Sequence, residues 1–364
     1  MSRDRLRVLI AGGGTGGHVI PALAVARELV ERFGAEVRFV GTARGMETRL
    51  VPAAGFPLEL IEVGQLNRVG LATQFKTAVR LPLAVWACLS LLKKYQPQVV
   101  FGVGGYASGP AMMAAILTGM PRVAFEPNAV PGMANRIVGR WVNAAAVNFP
   151  DTARYFRHAQ VTGIPVRQDF FHLPSRASEA APQLLVFGGS QGARGLNRMM
   201  PQIAAALFEA VPGLTILHQC GARHVETTEQ AYRQSETLRE RWAGAWSVQA
   251  FLDDMPQRFA AASLVLCRSG ASTVAELAAA AKPSLLVPFP QAADDHQRRN
   301  AEVLVAAGAA EMMVEAELTA ERLQAGLVEM LCDPERLTAM GTAGRAMAHA
   351  DAAAEIADLL HRFH

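Results

Sequence analysis

The chain is poor in the features that would mark several common classes of protein. Its four cysteines, Cys88, Cys220, Cys267 and Cys332, have no metal-ligand or redox spacing among them. A disulfide framework is not expected in a chain this long, and a reducing compartment is the plain expectation. Aromatic residues are scarce at 7% and no nucleic-acid-binding motif occurs, so no nucleic-acid partner is expected. Long apolar runs are missing. The longest stretch, residues 81–92, has 12 residues and contains Pro82, whereas a spanning helix needs about 20. Residues 1–7 are charged and lead into an apolar run, 8–11, too short for the core of a signal segment. The expectation is a soluble protein, or one that at most lies on a membrane. No Asp-x-Asp occurs. Acidic residues are absent between Glu62 and Glu126, an interval that holds Arg68, Lys76, Arg80, Lys93, Lys94 and Arg122.

What is present is core-forming material. Of the 364 residues 51% are hydrophobic and 18% charged, enough for two domains at roughly 150 residues each. The net charge of +3 conceals an asymmetry. Residues 1–166 carry 18 Lys and Arg against 9 Asp and Glu; the remainder carries 17 against 23. A basic first half attracts anionic partners such as phospholipid or pyrophosphate. Segment 71–95 adds Phe75, Leu81, Leu83, Val85, Trp86, Leu89, Leu91 and Leu92 to this charge. It reads as a helix containing Pro82, or as two helices meeting there. An apolar face with Trp and flanking cations fits an interfacial membrane element. On its own the segment fits an ordinary core helix somewhat better.

Short apolar runs alternate with helical stretches. The runs 8–11, 37–40, 99–101, 123–125 and 144–147 form one series, and 184–187, 214–217, 247–250, 264–266 and 284–287 a second. This alternation predicts parallel sheets with helices on both faces. Each series opens with an apolar strand, a glycine turn and a helix, so two doubly wound domains are expected. The proline-bearing stretch 163–183 is the expected linker, and 343–363 reads as a helix.

The candidate chemistry sits at the turns. Gly12-x-Gly14-x-x-Gly17 matches a dinucleotide fingerprint, and Pro21 suits the first turn of the helix that follows. The acid expected after the second strand is missing, since Thr42 stands there, which disfavours NAD. A phosphate or pyrophosphate turn remains, with tight strand–helix packing as the plainer alternative. His18 follows it at the strand edge where such sheets bind ligands. A second glycine turn, FGVGGYASGP, carries Tyr106. Glu126 and Asn128 follow another strand and could hydrogen-bond sugar hydroxyls or cap a helix. Gly188-x-Ser190-x-Gly192 raises a rival, the nucleophile elbow of a serine hydrolase, with Asp253 or Asp254 and His296 downstream. In CRSGASTVAE, Arg268 could meet phosphate, and Glu276 could take both hydroxyls of a ribose. His296, Gln297 and Asn300 share one side of a further helix. Asp294 and Asp295 suggest Mg²⁺ only weakly; metal-free handling of a diphosphate is the expectation.

Taken in order, GGGTGGH, GVGGYASGP, EPN, TGIPVR, GGSQGA, CRSGASTVAE and DDHQRRNA span nearly the whole chain. The ordered set resembles the family of N-acetylglucosaminyltransferases that complete lipid II in bacterial peptidoglycan synthesis. The resemblance implies an α/β fold of the GT-B type, two Rossmann-like domains with a cleft between them. Residues 1–166 would take the acceptor, joined by a C-terminal helix over 343–364, and 167–342 the donor. It implies transfer of GlcNAc from UDP-GlcNAc to the 4-hydroxyl of the muramyl sugar of lipid I, without a cofactor, at the cytoplasmic face of the membrane. Glu276 would hold the uridine ribose. Arg167 and Ser190, with Gln191 beside it, would meet the diphosphate, Arg268 being a further candidate, and the Leu252 backbone would read uracil. Ala271, Ser272, Thr273, Val274, Ala275 and Glu276 would enclose the nucleotide, and His296, Gln297 and Asn300 would read the sugar. His296 departs from the glutamine of some relatives. Thr15, Gly16, Gly17, His18, Tyr106, Glu126 and Asn128 would line the acceptor side, with His18 first and Glu126 second as general base. The resemblance also turns segment 71–95 towards membrane contact. A related transferase with another lipid or a small aglycone is the alternative within the fold.

Overall fold

The computed structural model describes residues 5–63, 71–174 and 180–364, with only the backbone described over 71–80. The chain divides into two compact units, Met1–Pro165 with Asp351–His364, and Val166–Ala350. Arg68 and part of the expected linker lie outside the described residues, as do the side chains of Phe75, Lys76 and Arg80.

The first unit is wound from β1 (Arg7–Gly12), α1 (Gly16–Phe33), β2 (Glu36–Gly41), α2 (Glu47–Ala53), β3 (Leu58–Leu60), α3 (Leu71–Tyr95), β4 (Val99–Gly104), α4 (Ser108–Leu117), β5 (Arg122–Glu126), α5 (Met133–Val138), β6 (Ala144–Val147) and β7 (Ala159–Val161). Its strands run in the order β3-β2-β1-β4-β5-β6-β7, paired in parallel throughout. The central strands are buried on both faces, which is why they read as continuous Val, Ile, Phe and Ala rather than as an alternation.

The second unit repeats the plan. Its elements are β8 (Gln183–Phe187), α6 (Arg194–Ala210), β9 (Thr215–Gln219), α7 (Val225–Gln234), α8 (Glu236–Glu240), β10 (Trp246–Gln249), α9 (Met255–Ala261), β11 (Leu264–Cys267), α10 (Ala271–Ala279), β12 (Ser284–Leu286), α11 (His296–Ala306), β13 (Ala310–Met312), α12 (Ala320–Leu331) and α13 (Pro334–Arg345). The sheet order is β10-β9-β8-β11-β12-β13, again all parallel. In both units the first strand is central and followed by a glycine turn, so the turn opens at the sheet's carboxyl edge, where the strand order reverses.

Two local expectations are corrected. The helix expected over 343–363 is two pieces, the end of α13 and a separate α14 (Ala352–His361). Tight i to i−3 hydrogen bonds from Met347 and Ala348 close α13. The turn-rich segment beyond is tied to the chain after Arg167, with Gln168 Nε2 donating to the Ala350 carbonyl at 3.0 Å and Arg345 to that of Phe171 at 3.1 Å. Helix α14 then packs on α1 through the Arg32–Asp358 ion pair at 2.8 Å and a stacked Phe33–His361 pair. Pro21 lies in the second turn of α1 rather than the first, because the helix already begins at Gly16. Segment 71–95 resolves as the single helix α3, running through Pro82.

Candidate active site

In the first unit the two glycine turns interlock. Gly13 N–H donates to the Gly104 carbonyl at 3.3 Å. A Cβ on Gly12 would overlap the Gly104 carbonyl, and one on Gly105, at φ +80°, would overlap that of Gly13. Close backbone approach therefore demands these glycines, and the packing reading accounts for part of the fingerprint. Beyond the turn, the first-turn N–H groups of α1 follow Thr15, whose side chain makes no cap hydrogen bond. The Thr15 Oγ1 instead meets His18 Nδ1 at 3.2 Å, and the imidazole lies over Gly104. Thr15, Gly16, Gly17, His18 and Tyr106 thus belong to one cluster of turns, with Thr15 and Tyr106 exposed.

Glu126 is not placed to act as the base. It is 2% exposed. Its Oε1 accepts from Asn128 N–H and Nδ2, both at 3.0 Å, and its Oε2 from Gly132 N–H at 3.1 Å and Asn135 Nδ2 at 2.9 Å. Burial raises its pKa while those four donors pull it down. A carboxylate so enclosed shapes the loop leading into α5, nearer the capping alternative than the sugar-binding one. Asn128 is partly exposed beside it, held by the same oxygen.

In the second unit, Ser190 and Gln191 are exposed on the turn between β8 and α6. Positive φ falls on Gly189 and Gly192, not on Ser190, so the strained serine of a nucleophile elbow is absent here. Asp254 is paired with Arg258 at 2.9 Å, and His296 Nδ1 donates to the Ala293 carbonyl at 2.7 Å. Neither supports a triad on Ser190.

Helix α10 begins after Gly270, which has no side chain to cap it, so the N–H groups of Ala271, Ser272 and Thr273 at its amino end are unclaimed among the described residues. One turn on, past Val274 and Ala275, stands Glu276. Its carboxylate accepts no hydrogen bond from the described residues, and burial pushes its pKa up to about 7, opposed by the nearby Arg167 guanidinium. Arg167 is exposed, with its guanidinium over the Phe170 ring. Leu252 is buried between β10 and α9, next to the exposed Phe251.

Two residues expected to contact ligand are internal ties. Arg268, 7% exposed, donates to the carbonyls of Val287 and Pro288 at 3.0 and 3.1 Å and pairs with Glu315 at 2.5 Å. It braces the ends of β11 and β12 and is not presented to a phosphate. Asn300 is fully buried and donates to the Ser269 carbonyl at 3.2 Å. It therefore does not share the partly exposed position of His296 and Gln297 on α11. Gln297 spends Oε1 on the Phe289 N–H at 3.0 Å, leaving its amide NH₂. His296 follows Asp294 and Asp295, both left-handed at φ +52° and +53°, a strained entry to the helix. A cavity of about 680 Å³ lies between α6 and α7, but no predicted site residue lines it.

This pair of glycine-turn sheets is matched by known proteins. Models of the glycosyltransferase family 28 N-terminal and C-terminal domains cover residues 8–147 and 183–356. The chain belongs to glycosyltransferase family 28. A family relative from Solibacter usitatus, named UDP-N-acetylglucosamine–N-acetylmuramyl-(pentapeptide) pyrophosphoryl-undecaprenol N-acetylglucosamine transferase, is 47% identical over 354 residues, 97% of this chain and 94% of the relative. The protein of that name from Stutzerimonas stutzeri is 45% identical over 97% of each chain. The solved structure of Acinetobacter baumannii MurG matches with a TM-score of 0.80 at 32% identity, covering 98% of this chain and 99% of that one. The glycotransferase of kitacinnamycin, TM-score 0.70 at 21% identity over 99% of each, shares the fold alone. The expected GT-B fold, two parallel-sheet Rossmann-like domains, is the family's fold, and the serine hydrolase reading falls with it.

Proposed function

We infer that this chain is the UDP-GlcNAc-dependent transferase that moves GlcNAc onto the 4-hydroxyl of MurNAc in undecaprenyl-pyrophosphoryl-MurNAc-pentapeptide, converting lipid I to lipid II. The near full-length identity to enzymes named for that reaction carries the inference.

In this reading the second unit holds the donor. Glu276 receives the ribose hydroxyls, which replace the hydrogen bonds its carboxylate lacks. Arg167, Ser190, Gln191 and the open N–H groups of α10 and of the turn before α6 receive the diphosphate. The Leu252 backbone meets uracil, and His296 with the Gln297 amide meets the transferred sugar. The first unit holds the acceptor through Thr15, Gly16, Gly17, Tyr106 and Asn128. His18 takes the proton of the 4-hydroxyl as that oxygen attacks the anomeric carbon from the face opposite UDP, and the centre inverts. The leaving diphosphate gains negative charge, which Arg167 and the helix amino ends stabilise.

The lipid acceptor brings the enzyme to an anionic membrane, at the cytoplasmic face. Among the described residues no helix is long and apolar enough to cross a membrane. On α3, Ala84, Cys88, Leu91, Leu92 and Tyr95 are buried, whereas Leu83 and Trp86 are 64% and 68% exposed, and Lys93 and Lys94 are exposed. That face supports insertion of Trp86 with cations at the headgroups. Leu117, Ile137 and Trp141 add exposed apolar surface on α4, which packs against α3, and on the segment from α5 onward.

The test is UDP release from UDP-GlcNAc in EDTA, with and without a soluble lipid I analogue. Release that requires the acceptor and survives EDTA is expected. Tight donor binding without release would point to a different acceptor.

A further inference from the structure

The acid missing after β2 is present six residues on from Gly41, turned inward. Glu47 is 1% exposed. Its Oε2 accepts from the Gly14 N–H at 2.7 Å, and its Oε1 accepts from the Thr42 N–H at 2.9 Å and the Thr42 hydroxyl at 3.0 Å. A Cβ at Gly13, Gly41 or Gly45 would overlap this side chain. Three glycines therefore clear the space the carboxylate fills. The same loop closes on Gly14 from its other side, where Met46 N–H donates to the Gly14 carbonyl at 3.4 Å. Gly14 is thus gripped at both its polar groups, at φ +91°.

Gly14 leads directly into Thr15, the residue before α1. The Thr15 carbonyl accepts from His18 N–H at 3.2 Å and its hydroxyl meets the His18 ring. We propose that Glu47 is a positioning residue for transfer: its buried carboxylate fixes Gly14, and through Gly14 sets Thr15 and the His18 ring towards the acceptor. The same contact determines what the turn can bind. Glu47 occupies the Gly14 N–H and places a carboxylate behind it, so a phosphate is held off that amide and must sit further on, at Gly16 and Gly17. A turn that matches the dinucleotide fingerprint is thereby converted to one that leaves room for a sugar hydroxyl beside His18. This proposal rests on the acceptor reading of the first unit.

Glu47→Gln separates the role from simple support. A carboxamide has one acceptor oxygen; kept on Thr42, it turns an NH₂ towards the Gly14 N–H, two donors facing each other. With UDP-GlcNAc and the lipid I analogue, E47Q is expected to lower kcat roughly tenfold and to raise the acceptor KM several-fold, the scale expected of a small misplacement of a reacting group. Donor affinity should stay within about twofold, since the donor machinery is in the other unit. Thr42→Val, which deletes one hydroxyl bond and keeps the carboxylate, should shift the same two parameters less. If E47Q does not fold, T42V carries the test, and wild-type acceptor kinetics in T42V would then overturn the proposal. In folded E47Q, wild-type kcat and acceptor KM would overturn it, as would a loss of donor affinity equal to the loss of acceptor affinity. His18→Ala is run alongside. Undiminished turnover in H18A would sink the acceptor-turn reading itself, whereas an impaired H18A with a normal E47Q would sink only the role of Glu47.

Discussion

Both units place carboxylates near the carboxyl edge of their sheets, yet they use them in opposite ways. In the first unit Glu47 and Glu126 are almost fully buried and saturated, with three and four protein donors respectively. In the second, Glu276 accepts nothing from the described residues and has its pKa pushed up to about 7. A saturated carboxylate spends its charge on backbone and shapes a loop. An unsatisfied one in a desolvated place is stabilised only when a ligand brings donors. Residue type and position do not distinguish the two; the count of donors does.

The comparison can be broken from either side. Glu126→Ala has the largest expected effect, because it strands the donors of Asn128, Gly132 and Asn135; urea denaturation should show a loss of about 4 kcal/mol. A loss under about 1 kcal/mol would mean that the loop does not depend on the carboxylate. Glu276→Ala should instead cost no folding stability, and above pH 7 should raise it, while weakening UDP-GlcNAc binding by about 2 kcal/mol, roughly thirtyfold. Unchanged affinity by calorimetry would remove Glu276 from the ribose. Trp86→Ala, on an exposed face, should cost about 1 kcal/mol of binding to anionic vesicles, seen by co-sedimentation, with turnover of a soluble acceptor unaltered. Equal vesicle binding would move membrane contact away from α3.

Much of the fold was legible because parallel strands buried on both faces read as short apolar runs. All ten expected runs correspond to strands. The strands without a sequence signal, β3, β7 and β13, are three residues long and lie at sheet edges, where one side is unpaired and no continuous apolar run is needed. The site was legible as motifs but not as partners. Arg268 reads as a phosphate ligand until Glu315, 47 positions later, is seen against it. Asn300 shares a helical repeat with His296, yet the Ser269 carbonyl draws it inside. Glu47 belongs to no motif. Its one trace is the pair Gly41 and Gly45 beside it, which mark room for a buried side chain only once its position is known.

The linkage of Glu276 to pH tests the contrast most directly. Burial lifts its folded-state pKa above the ordinary 4.5 to about 7. The group therefore favours folding at low pH, and that advantage is lost as pH rises through about 7. Ribose hydroxyls donate to the ionised form, so donor binding has the opposite slope. The measurement is the calorimetric Kd for UDP-GlcNAc from about pH 5.5 to about pH 8.5, in wild type and Glu276→Gln. The predicted result is affinity that is level above pH 7 and weakens towards tenfold per pH unit below it, with a flat profile in E276Q. A wild-type profile as flat as that of the variant would contradict the account.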